Sequence, residues 1–282
     1  MKEFQGRVAV ITGAASGIGR GLARRCVREG MKIVLADIEE AALHRTAAEL
    51  KGAGASVLAA VTDVSKAGDV DALARKTVET FGAVHLLCNN AGVGGGTTVW
   101  ESTLADWEWL LGVNLWGVIY GVRVFVPIML AQDMDCHIVN TASIAGLTAY
   151  PGAGIYKVTK HGVVTLSETL YYELAEREAK VHVSVLCPSW VNTAILDAAR
   201  NRPAALRNDP AEEKLSPKLA APTQARRQSV QSGMAPDQVA ERVFTGIRDN
   251  RLYILTHPET KEWVRGRMEN ILAERNPPLP EL

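Results

Sequence analysis

Tyr156 and Lys160 are the residues whose types and spacing most directly suggest acid–base chemistry. They stand four positions apart in the segment 153–176, whose composition predicts a helix, so both side chains project from one helix face. A free phenol has a pKa of about 10 and is a poor base at neutral pH, and a nearby ammonium lowers that pKa. Tyr156 beside Lys160 can therefore exchange a proton with an alcohol or carbonyl oxygen. Alone, a Tyr/Lys pair on a helix is usually only a surface pair.

Ser143 and Asn114 are further polar residues at positions where a site needs them. Ser143 follows the apolar run 137–141 and stands 13 positions before Tyr156. A hydroxyl at the carboxyl end of a strand can polarise a substrate oxygen, although a serine after a strand is mostly a turn or cap residue. Asn114 lies inside a long apolar helical pattern, where its amide needs a partner. A buried asparagine bonded to its helix is the alternative there.

A glycine-rich loop joins the first apolar run to a helical pattern. Gly13, Gly17 and Gly19 stand in the order GxxxGxG, with Ser16 and Ile18 among them. Glycine permits tight turns and close approach of the backbone to a ligand, and a helix start offers free N–H groups and a positive dipole to a pyrophosphate. The loop therefore predicts a dinucleotide site, with a plain strand–helix turn as the alternative.

Asp37 ends the second apolar run, 18 positions after Gly19. This is close to the spacing at which a carboxylate accepts hydrogen bonds from the adenosine ribose hydroxyls, and a carboxylate there repels a 2′-phosphate. No lysine or arginine adjoins Gly17, and Ile38 stands where a basic residue would bind that phosphate. NAD is therefore favoured over NADP as the cofactor, while a helix-capping aspartate is the alternative.

Apolar runs alternate with helical patterns along most of the chain, and these elements must position the polar residues. Such an alternation predicts a doubly wound α/β Rossmann fold, with helices on both faces of a sheet and ligands at the carboxyl ends of the strands. We expect a single domain, 1–282, with a seven-stranded, mainly parallel sheet. The predicted strands are 7–12, 32–36, 56–62, 84–88, 137–141, 182–187 and 252–256, and the helical segments are 19–29, 40–51, 70–81, 110–130, 153–176 and 236–249.

Three segments need separate interpretation. The proline-containing segment 194–235 has no clear period, which predicts a substrate lid or a disordered insertion, and the tail 276–282 predicts an extended, frayed end. The segment 110–130 is apolar and long enough to span a bilayer. It contains Asn114 and Arg123, and its apolar residues form one stripe, which is typical of a helix packed on protein.

The composition limits the classes of partner that this protein is expected to bind. The 282 residues carry 31 basic and 31 acidic side chains, so no overall field favours nucleic acid or an anionic membrane. Four dispersed cysteines without CxxC pairs and six histidines without metal-ligand spacing predict neither disulfides nor a metal site. The N-terminus shows no apolar signal-peptide core. We therefore expect a cytoplasmic protein that binds small molecules and neither nucleic acid nor membrane.

Five motifs in this order resemble the short-chain dehydrogenase/reductase family in its compact single-domain branch, over about residues 4–195. The resemblance implies that Tyr156 is the acid/base of alcohol–ketone interconversion and that Lys160 also holds the nicotinamide ribose. It implies that Asn114 kinks its helix and anchors a water joined to Lys160 in a proton relay. The motifs are Thr12-Gly-X3-Gly-X-Gly, Asn89-Asn90-Ala91-Gly92, Asn114, Ser143 and Tyr156-X3-Lys160.

The resemblance also implies the remaining cofactor contacts. The loop after the fourth strand passes under the adenine side, the pair after the third strand meets the adenine ring, and segment 188–193 lies beside the nicotinamide amide. Ser189 replaces the family's usual glycine, which leaves the local turn open because serine resists positive φ. The residues concerned are Asn90, Ala91, Gly92, Asp63, Val64, Pro188, Val191 and Thr193.

We expect the substrate to be a secondary alcohol, or its ketone, with a hydrophobic or aromatic group. The residues expected around the pocket are mainly apolar or aromatic, and no arginine or lysine is obviously placed for an anionic group. Trp190 can equally be a core residue or a subunit contact. The expected pocket residues are 94–96, Ser143, Ile144, Leu147, Tyr150, Tyr156 and Trp190.

Two other functions remain open. One is an NADPH-dependent carbonyl or 3-oxoacyl-thioester reductase, against which Asp37 argues. The other is a non-catalytic dinucleotide-binding regulator, against which the presence of Ser143, Tyr156 and Lys160 argues.

A homodimer or homotetramer is expected from the resemblance, because relatives pair through the helices that here carry Asn114 and Tyr156. Trp107, Trp109 and Trp116 crowd the first of these helices, and aromatic residues are enriched at interfaces. They can also serve the core of one subunit.

Overall fold

The computed structural model describes residues 1–209 and 224–278. Their seven strands form one sheet in the order β3-β2-β1-β4-β5-β6-β7, and every pair of neighbours is parallel. The sheet is therefore wholly parallel, where the sequence predicts it as mainly so. The strands are β1 (Val8–Thr12), β2 (Lys32–Asp37), β3 (Val57–Val61), β4 (Leu86–Asn89), β5 (Cys136–Thr141), β6 (Val181–Cys187) and β7 (Tyr253–Leu255).

Helices cover both faces of the sheet. Neighbouring residues of a strand point to opposite faces, so Ile11 packs with Leu22 and Phe244 on one side while Val10 packs with Phe125 on the other. The α-helices of the described residues are α1 (Gly17–Arg28), α2 (Glu40–Gly52), α3 (Ala67–Phe81), α4 (Leu104–Leu111), α5 (Gly117–Ala131), α6 (Gly154–Glu176), α7 (Gln224–Gln231), α8 (Pro236–Arg248) and α9 (Thr260–Leu272).

The strand order reverses between β1 and β4. The chain winds outwards from β1 to β3 and then crosses back, so that β4 pairs with β1 through Val10 and Leu87. In a doubly wound sheet, the loops that leave these two strands diverge and open a crevice at their carboxyl ends. This reversal determines where the predicted site residues meet.

The long apolar helix is not continuous. A π-helical turn, Gly112–Trp116, separates α4 from α5 and contains Asn114. Within the described residues, the combined stretch Leu104–Ala131 is long and apolar enough to cross a membrane, with a mean hydropathy of 1.6. Core helices pass the same test, and here Val118, Phe125 and Met129 are buried in the protein core.

The other predicted segments have mixed outcomes. Segment 194–235 contains two 3₁₀ turns, Ile195–Asn201 and Ala204–Leu206, and the helix α7, while its residues 210–223 lie outside the described residues. Residues 276–278 of the tail are exposed without regular structure, and 279–282 lie outside the described residues. The sequence patterns do not predict α9.

Candidate active site

A cavity of about 1260 Å³ opens at the carboxyl ends of the strands. Of the site residues predicted from the sequence, 23 lie on its wall and are thereby brought together from six strand ends and two helices. They are Gly13, Ser16, Gly17, Ile18, Asp37, Ile38, Asp63, Val64, Asn90, Ala91, Gly92, Gly94, Gly95, Gly96, Ser143, Ile144, Tyr150, Tyr156, Lys160, Pro188, Trp190, Val191 and Thr193.

Three predicted site residues lie outside the cavity wall. Gly19 is buried, and a Cβ there would lie 2.1 Å from the carbonyl oxygen of Gly13, so its role is to let α1 pack on the loop. Leu147 follows the short turn Ile144–Gly146 and packs against the cluster that includes Ala142 and Val163, which turns it away from the substrate space. Asn114 is fully buried behind the wall.

The glycine-rich loop has the geometry of an anion site. Gly13 and Gly17 have φ values of +66° and +51°, a conformation that other residues rarely adopt. Ser16 makes no side-chain hydrogen bond to cap α1, and the first turn of that helix contains no acidic residue. The N–H groups and the positive dipole end of α1 therefore face the cavity, which fits a dinucleotide pyrophosphate.

Asn90 and Thr12 hold this loop in place. The Asn90 side chain donates a hydrogen bond of 2.9 Å to the carbonyl oxygen of Thr12, and the Thr12 hydroxyl accepts from the backbone N–H groups of Asn90 and Ala91 at 2.9 and 3.0 Å. These bonds tie the ends of β1 and β4 together at the strand-order reversal. The loop after β4 is thus fixed by hydrogen bonds on the cofactor side of the cavity.

Asp37 lies at the end of β2 and is 9% exposed. Its carboxylate accepts hydrogen bonds of 2.9 Å from the backbone N–H groups of Ala15 and Glu39. Burial raises the pKa of Asp37, while those two hydrogen bonds act in the opposite direction. The carboxylate is held in one orientation on the cavity wall, which fits the ribose-binding role predicted for it.

Ser143 and Tyr156 both lie on the cavity wall, and the Ser143 hydroxyl acts to lower the pKa of the Tyr156 phenol. Ser143 lies two residues after the end of β5, where its oxygen accepts a bond of 3.1 Å from the N–H of Ala145 and donates one of 3.3 Å to the carbonyl of Pro188. Tyr156 stands in the first turn of α6. Two hydroxyls from different elements thus converge on one point of the cavity, where a substrate oxygen can be bound and polarised.

Lys160 is buried one turn further along α6, and its Nζ lies 5.6 Å from the Tyr156 ring centroid. The ammonium donates a hydrogen bond of 2.9 Å to the carbonyl oxygen of Thr141, and burial lowers the pKa of Lys160 to about 8. Burial also raises the pKa of Tyr156 to about 12. The sequence predicts that the ammonium lowers the pKa of the phenol; in the protein alone the pKa is raised instead, with desolvation as the largest cause.

Asn114 bonds to the loop after β4 instead of to its own helix. Its Oδ1 accepts from the N–H of Val93 at 2.8 Å, and its Nδ2 donates to the carbonyl of Val93 at 2.9 Å. The π-helical turn confirms that the helix is disturbed at this residue. A Cβ at Gly92 would lie 3.2 Å from Asn114 Oδ1 and 3.5 Å from Lys160 Nζ, so both side chains border the space that the missing Cβ leaves open.

The opposite half of the cavity is mainly apolar and aromatic. Besides Tyr150 and Trp190, its wall includes Trp109 from α4 and Trp263 from α9, neither of which is predicted from the sequence as a pocket residue. The sequence indicates Trp109 only as an interface or core residue, and Trp263 lies in an unpredicted helix, so neither has a local signal that points to the pocket. The sequence leaves the turn after β6 open, because Ser189 replaces a glycine there. In the structure Ser189 does not have a positive φ, so serine is accommodated without strain.

Arginines also reach the cavity, although the sequence analysis expects no obvious basic group in the pocket. Arg226 lies on the wall, and Arg202 forms an ion pair of 2.7 Å with Asp106. Arg200 reaches across to Glu39. All three arginines stand in or after the irregular segment 194–235, where periodicity gives no indication of side-chain direction.

Comparisons with known proteins agree with this geometry. Residues 7–204 match the family model described as short chain dehydrogenase. A short-chain dehydrogenase/reductase from Burkholderia phymatum, solved in complex with NAD, is 50% identical with a TM-score of 0.96, and the match covers 100% of both chains.

Two curated relatives match almost the whole chain. A CLA biosynthesis dehydrogenase/reductase of Lactiplantibacillus plantarum is 35% identical over 98% of this chain and 97% of its own length. A C alpha-dehydrogenase of Sphingobium sp. strain SYK-6 is 36% identical over 96% of this chain and 87% of its own length. With a Rossmann-type sheet, a matching family model and full-length relatives, the chain belongs to the short-chain dehydrogenase/reductase family and is an oxidoreductase of the alcohol–ketone class.

Proposed function

We propose that this protein is an NAD-dependent oxidoreductase that interconverts a secondary alcohol and its ketone, with a hydrophobic or aromatic group on the substrate. The proposal depends on one observation above all: the hydroxyls of Ser143 and Tyr156 face the same cavity as the glycine-rich loop and Asp37. A proton-transfer group and a dinucleotide cradle in one cavity are the two requirements of such a reaction.

In the proposed mechanism, Ser143 binds the substrate oxygen and Tyr156 exchanges the proton. In the oxidative direction the O–H bond of the alcohol breaks and its proton passes to the phenolate oxygen of Tyr156; in reduction the phenol returns it to the carbonyl oxygen. The chemistry that bound NAD supplies is the acceptance or return of the hydride on the substrate carbon, and its oxidised ring is cationic. Positive charge favours the phenolate and opposes the burial that raises the pKa of Tyr156 to about 12.

Lys160 and Asn114 complete the proposed proton path. The Lys160 ammonium is a buried donor behind the Tyr156 ring, suited to hold the nicotinamide ribose hydroxyls. Asn114 and Lys160 both border the space that the missing Cβ of Gly92 leaves open. We assign Asn114 to anchor the water through which the proton passes from Lys160 to solvent.

The residues proposed to hold NAD are those of the cofactor half of the cavity. Asp37 accepts the adenosine ribose hydroxyls and disfavours a 2′-phosphate, which argues against an NADPH-dependent reductase. The similarity to a protein solved with NAD supports this choice of cofactor. The other proposed contacts are Gly13, Ser16, Gly17, Ile18, Ile38, Asp63, Val64, Asn90, Ala91, Gly92, Tyr156, Lys160, Pro188, Val191 and Thr193.

The proposed substrate class follows from the aromatic half of the cavity. Tyr150 and Trp190 on its wall suit a hydrophobic or aromatic group beside the reacting carbon, and Trp109 and Trp263 extend that surface. We propose that the chain acts as one domain in which segment 194–235 closes over this substrate.

We also propose a homodimer or homotetramer. Trp109 is buried in its own subunit, which removes it from the list of interface candidates. Trp116 is 47% exposed and stacks on Tyr120 with ring centroids 5.5 Å apart. An exposed tryptophan at the end of the π-helical turn, stacked on a half-buried tyrosine of α5, is typical of an interface.

The first experiment is an absorbance assay at the reduced-nicotinamide band, with NAD or NADP and a panel of secondary alcohols of increasing hydrophobicity. We expect reduction of NAD in preference to NADP, and higher kcat/KM for alcohols that carry an aromatic group. A preference for small polyols contradicts the substrate class, and equal or better use of NADP contradicts the cofactor assignment.

A further inference from the structure

Residues 194–201, here called the strap, follow β6 and span the cavity. Nearly all of them lie on its wall, including Ala194, Ile195 and Arg200. At its start, the strap packs closely on the loop after β4, where a Cβ at Gly94 would lie 2.8 Å from the carbonyl oxygen of Ile195. At its end it meets Glu39. The strap therefore connects the Tyr156 side of the cavity with the adenosine-ribose side.

Glu39 holds the end of the strap. Its Oε1 accepts a hydrogen bond of 2.6 Å from Arg200 and one of 2.7 Å from Asn201. Burial opposes ionisation of Glu39, but these bonds outweigh it and lower its pKa. Its backbone N–H is bonded to Asp37, so the Glu39–Arg200 pair lies immediately beside the carboxylate proposed to bind the ribose.

Arg200 is also fixed from within the strap. Its Nη1 donates to the carbonyl oxygens of Ala194 and Asp197, at 3.2 and 2.9 Å. Those two bonds do not involve Glu39. The guanidinium therefore stays on the cavity wall whether or not Glu39 is charged, and the charge of Glu39 decides whether the Arg200 charge is compensated.

We infer that Glu39, acting through Arg200, is a second determinant of the preference for NAD over NADP. The inference rests on the proposed function, in which the adenosine ribose lies at Asp37. In the native protein the Glu39 carboxylate occupies Arg200 and adds negative charge beside the ribose. Both effects disfavour a 2′-phosphate, because a guanidinium that is paired with a carboxylate has less to offer a phosphate oxygen.

Glu39→Gln tests this inference with little structural change, because the glutamine oxygen still accepts hydrogen bonds from Arg200 and Asn201. Only the negative charge is removed. Arg200 then presents uncompensated charge to the 2′-phosphate, while Asp37 is unchanged. We expect NADP⁺ to bind about tenfold more tightly, as one charge-assisted contact warrants, and NAD⁺ affinity to stay within about threefold.

The measurement is calorimetric titration of NAD⁺ and NADP⁺ into four proteins: wild type, Glu39→Gln, Arg200→Gln and the double variant. The double variant is decisive because it shows whether the gain in NADP⁺ affinity comes from Arg200 or from Arg45, whose charge also acts on Glu39. We expect it to lose most of the tenfold gain. Added salt is expected to reduce the gain of Glu39→Gln, since part of the strap is exposed and screening weakens such contacts.

The matched control is Asp197→Asn, which removes a negative charge from the same strap where it pairs with Arg227 at 3.1 Å. It is expected to leave NADP⁺ affinity within about twofold. Unchanged NADP⁺ affinity in a folded Glu39→Gln protein overturns the inference. So does a gain that persists in full in the double variant, or one that Asp197→Asn reproduces.

The failure of this inference and that of the proposed function give different results. If the wild type binds neither dinucleotide, or if Asp37→Ala leaves NAD⁺ affinity unchanged, both fail. If Asp37→Ala weakens NAD⁺ binding while Glu39→Gln shifts nothing, only the role of Glu39 and Arg200 is overturned.

Discussion

The Lys160 ammonium donates its hydrogen bond to the carbonyl oxygen of Thr141, at 2.9 Å, and not to the hydroxyl of its helix neighbour Tyr156. Thr141 is the last residue of β5, so this bond connects the catalytic face of α6 to the sheet. Both titratable groups are desolvated, and their pKa values move apart: that of Lys160 falls to about 8 and that of Tyr156 rises to about 12. Burial thus shifts each group toward its neutral form in the protein without a dinucleotide, while Lys160 stays mainly an ammonium at neutral pH.

The lowered pKa of Lys160 predicts a pH-dependent stability. Between about pH 8 and pH 10.5 the unfolded chain keeps this proton while the folded chain has released it, so the free energy of unfolding rises with pH in that window. Across this pH window we expect the free energy of unfolding of the wild type to rise by about 1–3 kcal/mol relative to that of Lys160→Met. Urea unfolding of the two ligand-free proteins measures this difference. A difference that stays constant with pH contradicts the buried ammonium.

Tyr156→Phe is expected to lower kcat by about 10²–10⁴-fold, because the ring remains while the proton-transfer oxygen is removed. NAD⁺ affinity is expected to stay within about threefold, as the ring still packs beside Lys160. Stopped-flow kinetics and calorimetric titration measure the two effects. Tyr150→Phe is the matched control, since it removes a phenol oxygen from the same cavity and is expected to retain most activity. A Tyr156→Phe protein with nearly full kcat excludes the assigned role.

Asp37→Ala is expected to weaken NAD⁺ binding by about tenfold or more and NADP⁺ binding much less, because the carboxylate binds ribose hydroxyls only when no phosphate is present. Alanine also leaves the N–H groups of Ala15 and Glu39 without their acceptor, which lowers the Tm. Asp37→Asn is the control, since the amide oxygen still accepts one of those bonds. Equal losses for the two dinucleotides speak against ribose recognition.

Trp190→Ala is expected to raise KM for an aromatic ketone by about tenfold and to leave KM for a small aliphatic ketone within about twofold. The indole is 40% exposed on the cavity wall, so its loss removes apolar contact area without collapsing a core. Steady-state kinetics on the two ketones give the comparison. Trp100→Ala serves as the control because Trp100 is 80% exposed and lies off the wall. Equal effects on both ketones exclude Trp190 from the substrate space.

Asp106→Asn is expected to destabilise the protein by about 2–4 kcal/mol. Arg202 and Asp106 are each only 12% exposed, and removing one partner leaves a largely buried charge uncompensated. Asp197→Asn breaks an exposed pair with Arg227 and is expected to cost about 0–1 kcal/mol. Urea unfolding of the two variants provides the test. If they lose equal stability, the Arg202–Asp106 pair does not hold residues 202–208 on α4.

The sheet and the cofactor half of the cavity could be predicted because their signals are local. Continuous apolar runs predict all seven strands of the described residues, with ends that differ from the observed ones by at most two residues. Asp37 ends β2 and Ser143 stands two residues after the end of β5, and parallel strands present their carboxyl ends at one edge of the sheet. Residues that are far apart in the sequence therefore meet in the cavity without any knowledge of side-chain contacts.

The substrate half was less predictable because its signals are not local. Trp263 reaches the cavity from a helix with no predicted counterpart, and Leu147 is turned away from it by one short 3₁₀ turn. Arg200 and Glu39 are 161 positions apart, and Arg200 follows a segment without periodicity. Their contact depends on how the strap crosses the cavity, and the spacing of residues along the chain does not predict that path.

The sequence by itself determined which functional residues stand at the strand ends and in which order. They are a glycine turn, an acidic strand end, a serine, and a tyrosine one helical turn before a lysine. Only the tertiary structure decided the balance of charge among these groups. Tyr156 is held neutral and Lys160 is weakly acidic because both are desolvated, and desolvation depends on every neighbour that excludes water from them. Spacing fixes which groups can meet, but burial decides which of their protonation states the fold favours.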